Sequence, residues 1–262
     1  MANNNDVEEF EDIMSAEVLV DMEKLRDMAR SGVPNAVRGV VWRYLLGVES
    51  ADRSREQSDS RRHIEEYEQL DKENLEISKR VRGDVQRYQR RLAAQLASFA
   101  QQHDLAAVVE RILAAYINGN KHVEYSPALV SLCMPFVFVC QAESDMYHCF
   151  SRLMGMLEEV DVNEWATSWL QYLLSKELPL PCLLRLWDMY FSLDGNLENH
   201  VYVSDAALLA LLRHYKDALE ELEQSEIRTL LLRMPMLDID EVIHQALNIR
   251  SEILQRQVSD AL

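Results

Sequence analysis

The sequence predicts an all-α protein, and three observations carry that prediction. Seven Gly and six Pro in 262 residues are few. Leu, Ala and Glu, which favour helices, are plentiful. Apolar residues recur at steps of three and four, and no sustained apolar–polar alternation marks a strand outside short runs. Nothing resembling a linker divides the chain. The expectation is therefore a single helical domain over residues 15–262 behind a disordered acidic tail at 1–14, which carries Asp6, Glu8, Glu9, Glu11 and Asp12.

A short helix is expected near 16–28, leading into the most informative stretch, 32–47. There Pro34 suits a first helical turn and Gly47 the position after the last, where positive φ is needed. Val37, Val41, Tyr44 and Leu45 fall at i, i+4, i+7 and i+8 and form a core-facing stripe. Arg38 and Trp42 stand one turn apart, so the guanidinium can lie along the indole. Gly39 is the odd residue, because an interior helical Gly costs about 1 kcal/mol relative to Ala. Close approach of another backbone would account for it.

Residues 52–76 are almost wholly polar, with a thin apolar edge of Tyr67, Leu70 and Leu75, and read as an exposed helix or mobile loop. Gly83-Asp84 reads as a helix start, with Asp84 capping and Arg87 aimed from the first turn. Helices follow at 92–100 and 105–117, the second ended by Asn118-Gly119-Asn120. Ser126 and Pro127 then open an apolar helix at 128–140, kinked by Pro135, whose Phe136 and Phe138 belong in the core. Further helices are expected at 145–158, at 164–175 with Trp165 and Trp169, at 183–191 with Trp187, and at 201–215, 226–232 and 239–254. No repeat period emerges, which disfavours a solenoid.

Charge excludes several functions. A formal net charge of −17 argues against non-specific binding to nucleic acid or an anionic membrane, since both need a positive field. Four cysteines, Cys133, Cys140, Cys149 and Cys182, are too few and too irregular for a disulfide scaffold or a zinc site. No histidine sits in a ligand spacing, so neither a metal nor a cofactor is expected. The N-terminus lacks a signal peptide's basic start and apolar core, and the longest apolar run, 128–140, is too short to span a bilayer. A soluble cytoplasmic protein is expected.

One segment reverses the charge. Lys79, Arg80, Arg82, Arg87, Arg90 and Arg91 gather around a single acid, Asp84. Such an island is where an anion would bind. Without further information, a solvated helical face neutralised by the acidic stretches around it is the more ordinary reading.

Four pieces in order give the chain a resemblance to the TBC domain of Rab GTPase-activating proteins. Gly32-Val33-Pro34, Arg38-Gly39, Trp42 and Leu45-Leu46-Gly47 look like that family's opening motif. Val81-x-x-Asp84-x-x-Arg87 looks like its arginine-finger motif, with Val where Ile is usual. Arg111-Ile112-Leu113-Ala114-Ala115-Tyr116, Asn120 and Tyr125, then Pro135-Phe136, look like the surroundings of its glutamine-finger motif. Trp169-Leu170, Glu177-Leu178-Pro179-Leu180 and Leu184-Arg185-Leu186-Trp187-Asp188 look like its closing motif.

The resemblance implies a GTPase activator acting on the GTP form of a Rab-like small GTPase. In that reading Arg87 is the finger and Asp84 orients it. Arg80, Arg82, Arg90 and Tyr125 face the partner, and Arg38, Trp42, Trp187 and Asp188 are scaffold. It also implies a cytoplasmic location, peripheral at endomembranes and reached only through the GTPase. Two departures stand out: Pro127 occupies the position of the second finger, a Gln in the family, and the link between Glu158 and Trp165 is short. They motivate an alternative, a catalytically weak or inactive TBC adaptor that binds a GTPase or another protein.

Overall fold

The computed structural model describes residues 4–92, 104–158, 172–193 and 197–260. Among the described residues there is no strand, only one antiparallel bridge between Leu19 and Asp52. The chain divides into two compact units, Met1–Glu158 and Glu159–Leu262, where the lack of a linker led us to expect one.

The first unit begins with a correction. The segment expected to be a disordered acidic tail contains a helix, α1 (Asn4–Met14). Its Phe10, Ile13 and Met14 are buried, and Val7 packs beside them, in a cluster with Val20, Leu25, Ala29, Val33, Val37, Val41 and Tyr44. The acids share the helix with an apolar stripe at steps of three, and burial of that stripe decides the outcome. α2 (Met22–Arg30) starts later than expected because Asp21 is its N-cap, accepting from the Lys24 N–H at 3.0 Å.

α3 (Arg38–Leu45) also starts late. The Pro34 carbonyl accepts from the N–H groups of Val37 and Arg38 at 3.1 and 3.0 Å, so a turn precedes the helix proper. Gly47 ends the stretch at φ +70°, as its position required. A Cβ added to Gly39 would lie 2.2 Å from the Val139 carbonyl oxygen, which is the close backbone approach its presence implied. Trp42 is fully buried, edge-on to Phe136 with ring centroids 5.7 Å apart. The Arg38 guanidinium donates to the Asn35 side-chain oxygen and the Val33 carbonyl. Val41 and Phe136 are buried, whereas Leu45 and Phe138 are only half-buried.

After a 3₁₀ turn at Arg53–Arg55, the polar stretch forms α4 (Glu56–Gln69), which packs on α8 (Glu143–Glu158). Tyr67 donates to Glu143 at 2.6 Å, and Arg111 donates to both Glu143 oxygens at 2.8 and 2.5 Å. Burial acts to raise the Glu143 carboxyl, but the Arg111 and Tyr67 bonds prevail and hold it below its ordinary range.

The second correction concerns α5 (Leu75–Arg91), which runs unbroken through Gly83 and Asp84 rather than starting there. Ile77, Val81, Val85 and Tyr88 keep a buried stripe in phase across the glycine, and that burial outweighs a propensity cost of about 1 kcal/mol. α6 (Leu105–Gly119) is capped by Asp104. α7 (Pro127–Val139) has Pro127 at its first position and is buried from Ala128 to Val137. Ser126 is the N-cap but makes no side-chain cap bond. α7 packs against α3, α5, α6 and α8, which makes it the central helix of this unit.

In the second unit, α9 (Leu180–Ser192) follows a turn in which Leu173 and Leu174 adopt φ 44° and 59°. Trp187 is fully buried and donates from Nε1 to the Leu173 carbonyl at 3.2 Å. α10 (Leu197–His214) and α9 pack on the long α13 (Ile239–Asp260). The short α11 (Lys216–Glu221) and α12 (Gln224–Leu232) lie between α10 and α13 in sequence, α12 opened by a Glu223–Glu226 capping box. Trp165, Trp169, most of the helix expected at 92–100 and the first part of that expected at 164–175 lie outside the described residues.

Candidate functional site

Tyr125 is the residue around which the cationic segment is arranged. It ends the loop before α7 and is buried, lying where α7 packs on α5. Its hydroxyl donates to Asp84 Oδ2 at 2.7 Å. The other carboxylate oxygen of Asp84 accepts from Arg87, from Nε at 3.1 Å and from a second guanidinium nitrogen. Asp84 is 8% exposed, whereas the Arg87 side chain is 70% exposed. The finger candidate is therefore largely exposed, with its guanidinium held on the Asp84 carboxylate. Burial pushes the Tyr125 phenol well above its ordinary value, and the bond to the Asp84 carboxylate pushes it further, so the phenol stays protonated and keeps donating.

Arg80 approaches the same tyrosine from its ring face. Its guanidinium carbon stands 4.7 Å from the ring centroid, and a terminal nitrogen donates to the Tyr125 carbonyl at 3.5 Å. Residues 80, 84 and 87 are i, i+4 and i+7 on one helix and so share a face. The sequence pattern left open whether the cations form an anion site or a solvated face. Geometrically, Arg80, Asp84, Arg87 and Tyr125 come together, and the Arg87 side chain stays largely exposed.

The other candidates are placed differently. Arg82 pairs with Glu110 of α6, Nε to Oε2 at 2.6 Å, and Ser78 donates to the other Glu110 oxygen at 2.5 Å. Burial acts to raise the Glu110 carboxyl, but these bonds prevail and leave it lowered. Arg82 therefore fixes α5 against α6. Arg90 is exposed near the end of α5, and Arg91 lies over the Tyr88 ring at 4.9 Å. Pro127 is exposed at the first position of α7, two residues beyond Tyr125. Arg38 and Trp42 on α3 are buried, as are Trp187 and Asp188 on α9, so these four sit in the interior of their own units.

Sequence reasoning missed Glu110. A signal existed in the one carboxylate on the apolar helix 105–117, with Ser78 and Arg82 spaced i, i+4 to receive it. The pairing itself spans 28 residues and cannot be read from spacing.

The fold and site together define an all-helical domain that holds an exposed arginine on a buried Asp–Tyr pair. Comparison with known proteins assigns the family: the Rab-GTPase-TBC domain model matches residues 35–160 and 155–219, and the chain belongs to that family. Among curated relatives, TBC1 domain family member 22A of Homo sapiens is 26% identical over 286 residues, covering 84% of this chain and 54% of that protein. GTPase-activating protein gyp1 of Schizosaccharomyces pombe is 24% identical over 303 residues, covering 88% and 57%. The chain thus spans a little more than half the length of these relatives. Among solved structures, the Ypt/Rab-GAP domain of Gyp1p superposes with a TM-score of 0.75 at 16% identity, covering 97% of this chain and 100% of that one. The Chlamydomonas flagellar RabGAP TBC domain superposes with a TM-score of 0.61 at 18% identity, covering 93% and 90%. At these identities the likeness is one of fold.

Proposed function

We propose that this chain is a GTPase-activating protein for a Rab-like small GTPase in its GTP form, and that it supplies Arg87 to the phosphates bound by its partner. The observation that carries the reading is the exposed Arg87 guanidinium rooted on Asp84, whose other oxygen Tyr125 occupies. Asp84 and Tyr125 fix where the finger starts. Arg80 and Arg90, exposed on the same helix, offer cationic contacts to the partner, while Arg82 is spent on Glu110. Membership of the Rab-GTPase-TBC domain family and the likeness to gyp1, a GTPase-activating protein by name, support the partner class.

The energetics are consistent with such a finger. The pair joins an exposed guanidinium to a buried carboxylate, so it holds Arg87 by about 1.5–3 kcal/mol, the range of hydrogen bonds to charged groups. An arginine finger accelerates GTP hydrolysis by roughly 10³ to 10⁵, or about 4–7 kcal/mol. Leaving Asp84 for a phosphate thus costs less than the gain, and Asp84 keeps the Tyr125 bond when Arg87 departs. A guanidinium has only N–H donors, so it neutralises charge on the transferring phosphoryl but cannot accept a proton from the attacking water. Pro127 has neither a side-chain donor nor a backbone N–H. The glutamine that orients the water must then come from the GTPase, as it does in Ras and Gα.

Pro127 also supports a second reading, an adaptor that binds a GTPase without stimulating it. Single-turnover GTP hydrolysis by a panel of purified Rab-like GTPases separates the two. The activator reading expects stimulation by the wild-type chain that falls by at least about 10³ in Arg87→Ala, with GTPase binding retained. Binding without stimulation establishes the adaptor, and stimulation indifferent to Arg87→Ala rejects the finger.

A further inference from the structure

We propose that Arg80 is a second catalytic arginine, delivering its guanidinium to the same phosphate group as Arg87 from the opposite end of Tyr125. This rests on the activator reading above and adds a residue to its chemistry.

Four observations point to it. First, Arg80 and Arg87 are two helical turns apart, offset by only about 20° around the axis and separated by about 10 Å along it, a gap that two long side chains can close. Second, both are anchored to one side chain: Arg80 lies over the Tyr125 ring at 4.7 Å, and Arg87 reaches the Tyr125 hydroxyl through Asp84. Third, the charge on this stripe is unbalanced. The one acid between residues 80 and 87, Asp84, has its two oxygens taken by Tyr125 and Arg87, and beyond it only Glu76, one turn before Arg80, adds negative charge to this face, while Arg80 and Arg87 both remain exposed. Fourth, Arg80 touches the carbonyl of Tyr125, two residues from Pro127.

The remaining cations differ in what they meet. Arg82 is paired to Glu110, Arg90 is turned about 80° around the helix from Arg80, and Arg91, though on the same face one turn beyond Arg87, lies over the Tyr88 ring rather than Tyr125. Arg80's own polar bond, at 3.5 Å, is at the outer limit of hydrogen bonding, so a phosphate oxygen competes with it easily. In the reaction, water oxygen bonds to the γ-phosphorus as the bond from that phosphorus to the β–γ bridging oxygen breaks. GDP and inorganic phosphate leave, and Arg80 forms and breaks no covalent bond. Its N–H groups stabilise the charge spread over the transferring oxygens, and the partner's glutamine orients the water.

The test uses the full chain with a GTPase that it stimulates, comparing wild type, Arg80→Gln, Arg80→Lys and Arg87→Ala in single-turnover hydrolysis. Arg80→Gln is expected to lower the maximal rate about 10²-fold with little change in the half-saturating concentration. Arg80→Lys should recover part of that loss, and the melting temperature should stay at the wild-type value. Assembly with the GTPase loaded with GDP and aluminium fluoride should weaken in Arg80→Gln, while assembly with the GTPase loaded with a non-hydrolysable GTP analogue persists.

A full rate in Arg80→Gln overturns the inference and leaves Arg87 as the finger. A loss confined to half-saturation makes Arg80 a docking contact and also overturns it. So does a loss that tracks a lowered melting temperature and is not recovered by Arg80→Lys, since Arg80 then only braces Tyr125. If the wild-type chain stimulates no GTPase, the activator reading falls and this inference falls with it.

Discussion

Replacing Gly39 with alanine tests how α3 and α7 are fitted together. The new Cβ would lie 2.2 Å from the Val139 carbonyl oxygen, 2.9 Å from its carbon and 3.2 Å from the Cys140 Cα. All three are backbone atoms, so no side chain can swing aside and the end of α7 must move. Alanine returns at most about 1 kcal/mol of helix propensity. Overpacking typically costs 1–3 kcal/mol, and a clash with backbone belongs at or above the top of that range. The net expectation is a loss of about 2 kcal/mol or more, a fall in melting temperature of roughly 4–8 °C for a unit of this size. Differential scanning calorimetry and urea denaturation would measure it. A Gly39→Ala protein as stable as wild type would refute the close approach, and with it the account of why a helix interior carries glycine here.

Gly83 provides the opposite case: an added Cβ would meet only an Arg87 guanidinium nitrogen at 3.8 Å, so Gly83→Ala should stabilise by about 0.5–1 kcal/mol in the same assays. Tyr125→Phe removes the 2.7 Å bond to Asp84 and should cost about 1–2 kcal/mol, measured by urea denaturation. Acid should weaken the fold at the packing of α4 on α8. There His63 stacks on His148 with ring centroids 4.5 Å apart, near Asp59, Arg62 and Glu66. Burial, with the His148 and Arg62 charges, lowers the His63 pKa below its ordinary 6.5. The unfolded chain therefore takes up this proton first, and stability drops as pH falls from about 6.5 until the folded pKa is passed. Urea midpoints measured across that range should show the drop in wild type and a smaller one in His63→Gln.

Local pattern made much of the first unit legible. Pro34 and Gly47 bracketed α3 within a turn, and Gly39 announced a backbone neighbour that proved to be Val139. The uniformly apolar run at 128–140 was recognisable as the central helix because no face of it tolerates water. Two errors share a cause, since each trusted a local composition signal over an apolar stripe running through it. The acids of 1–14 outvoted Phe10 and Ile13, and Gly83-Asp84 outvoted Val81, Val85 and Tyr88. Asp84 was given a cap's work, whereas its partners are a side chain one turn on and a tyrosine 41 residues away. Pairings at that range, including Glu110 with Arg82 and Glu143 with Tyr67, depend on how helices pack and leave no mark on spacing. Arg87 was given the finger's role through the family resemblance, because local chemistry aimed it only from a helix start at Asp84 that the continuous α5 replaces.

The first residue of α7 has a consequence for how this site can change. Pro127 is exposed, and the burial of the helix begins at Ala128, so position 127 touches the fold at its surface only. Its contribution is to preset the backbone where an N–H would have gone unused anyway. Exchange for a glutamine forfeits that preset, worth about 0.4–1 kcal/mol, and moves no core atom. Chemistry at this end of α7 is thereby uncoupled from the integrity of the domain. An amide can be gained or lost here while Tyr125, Asp84 and the packing beneath them stay in place.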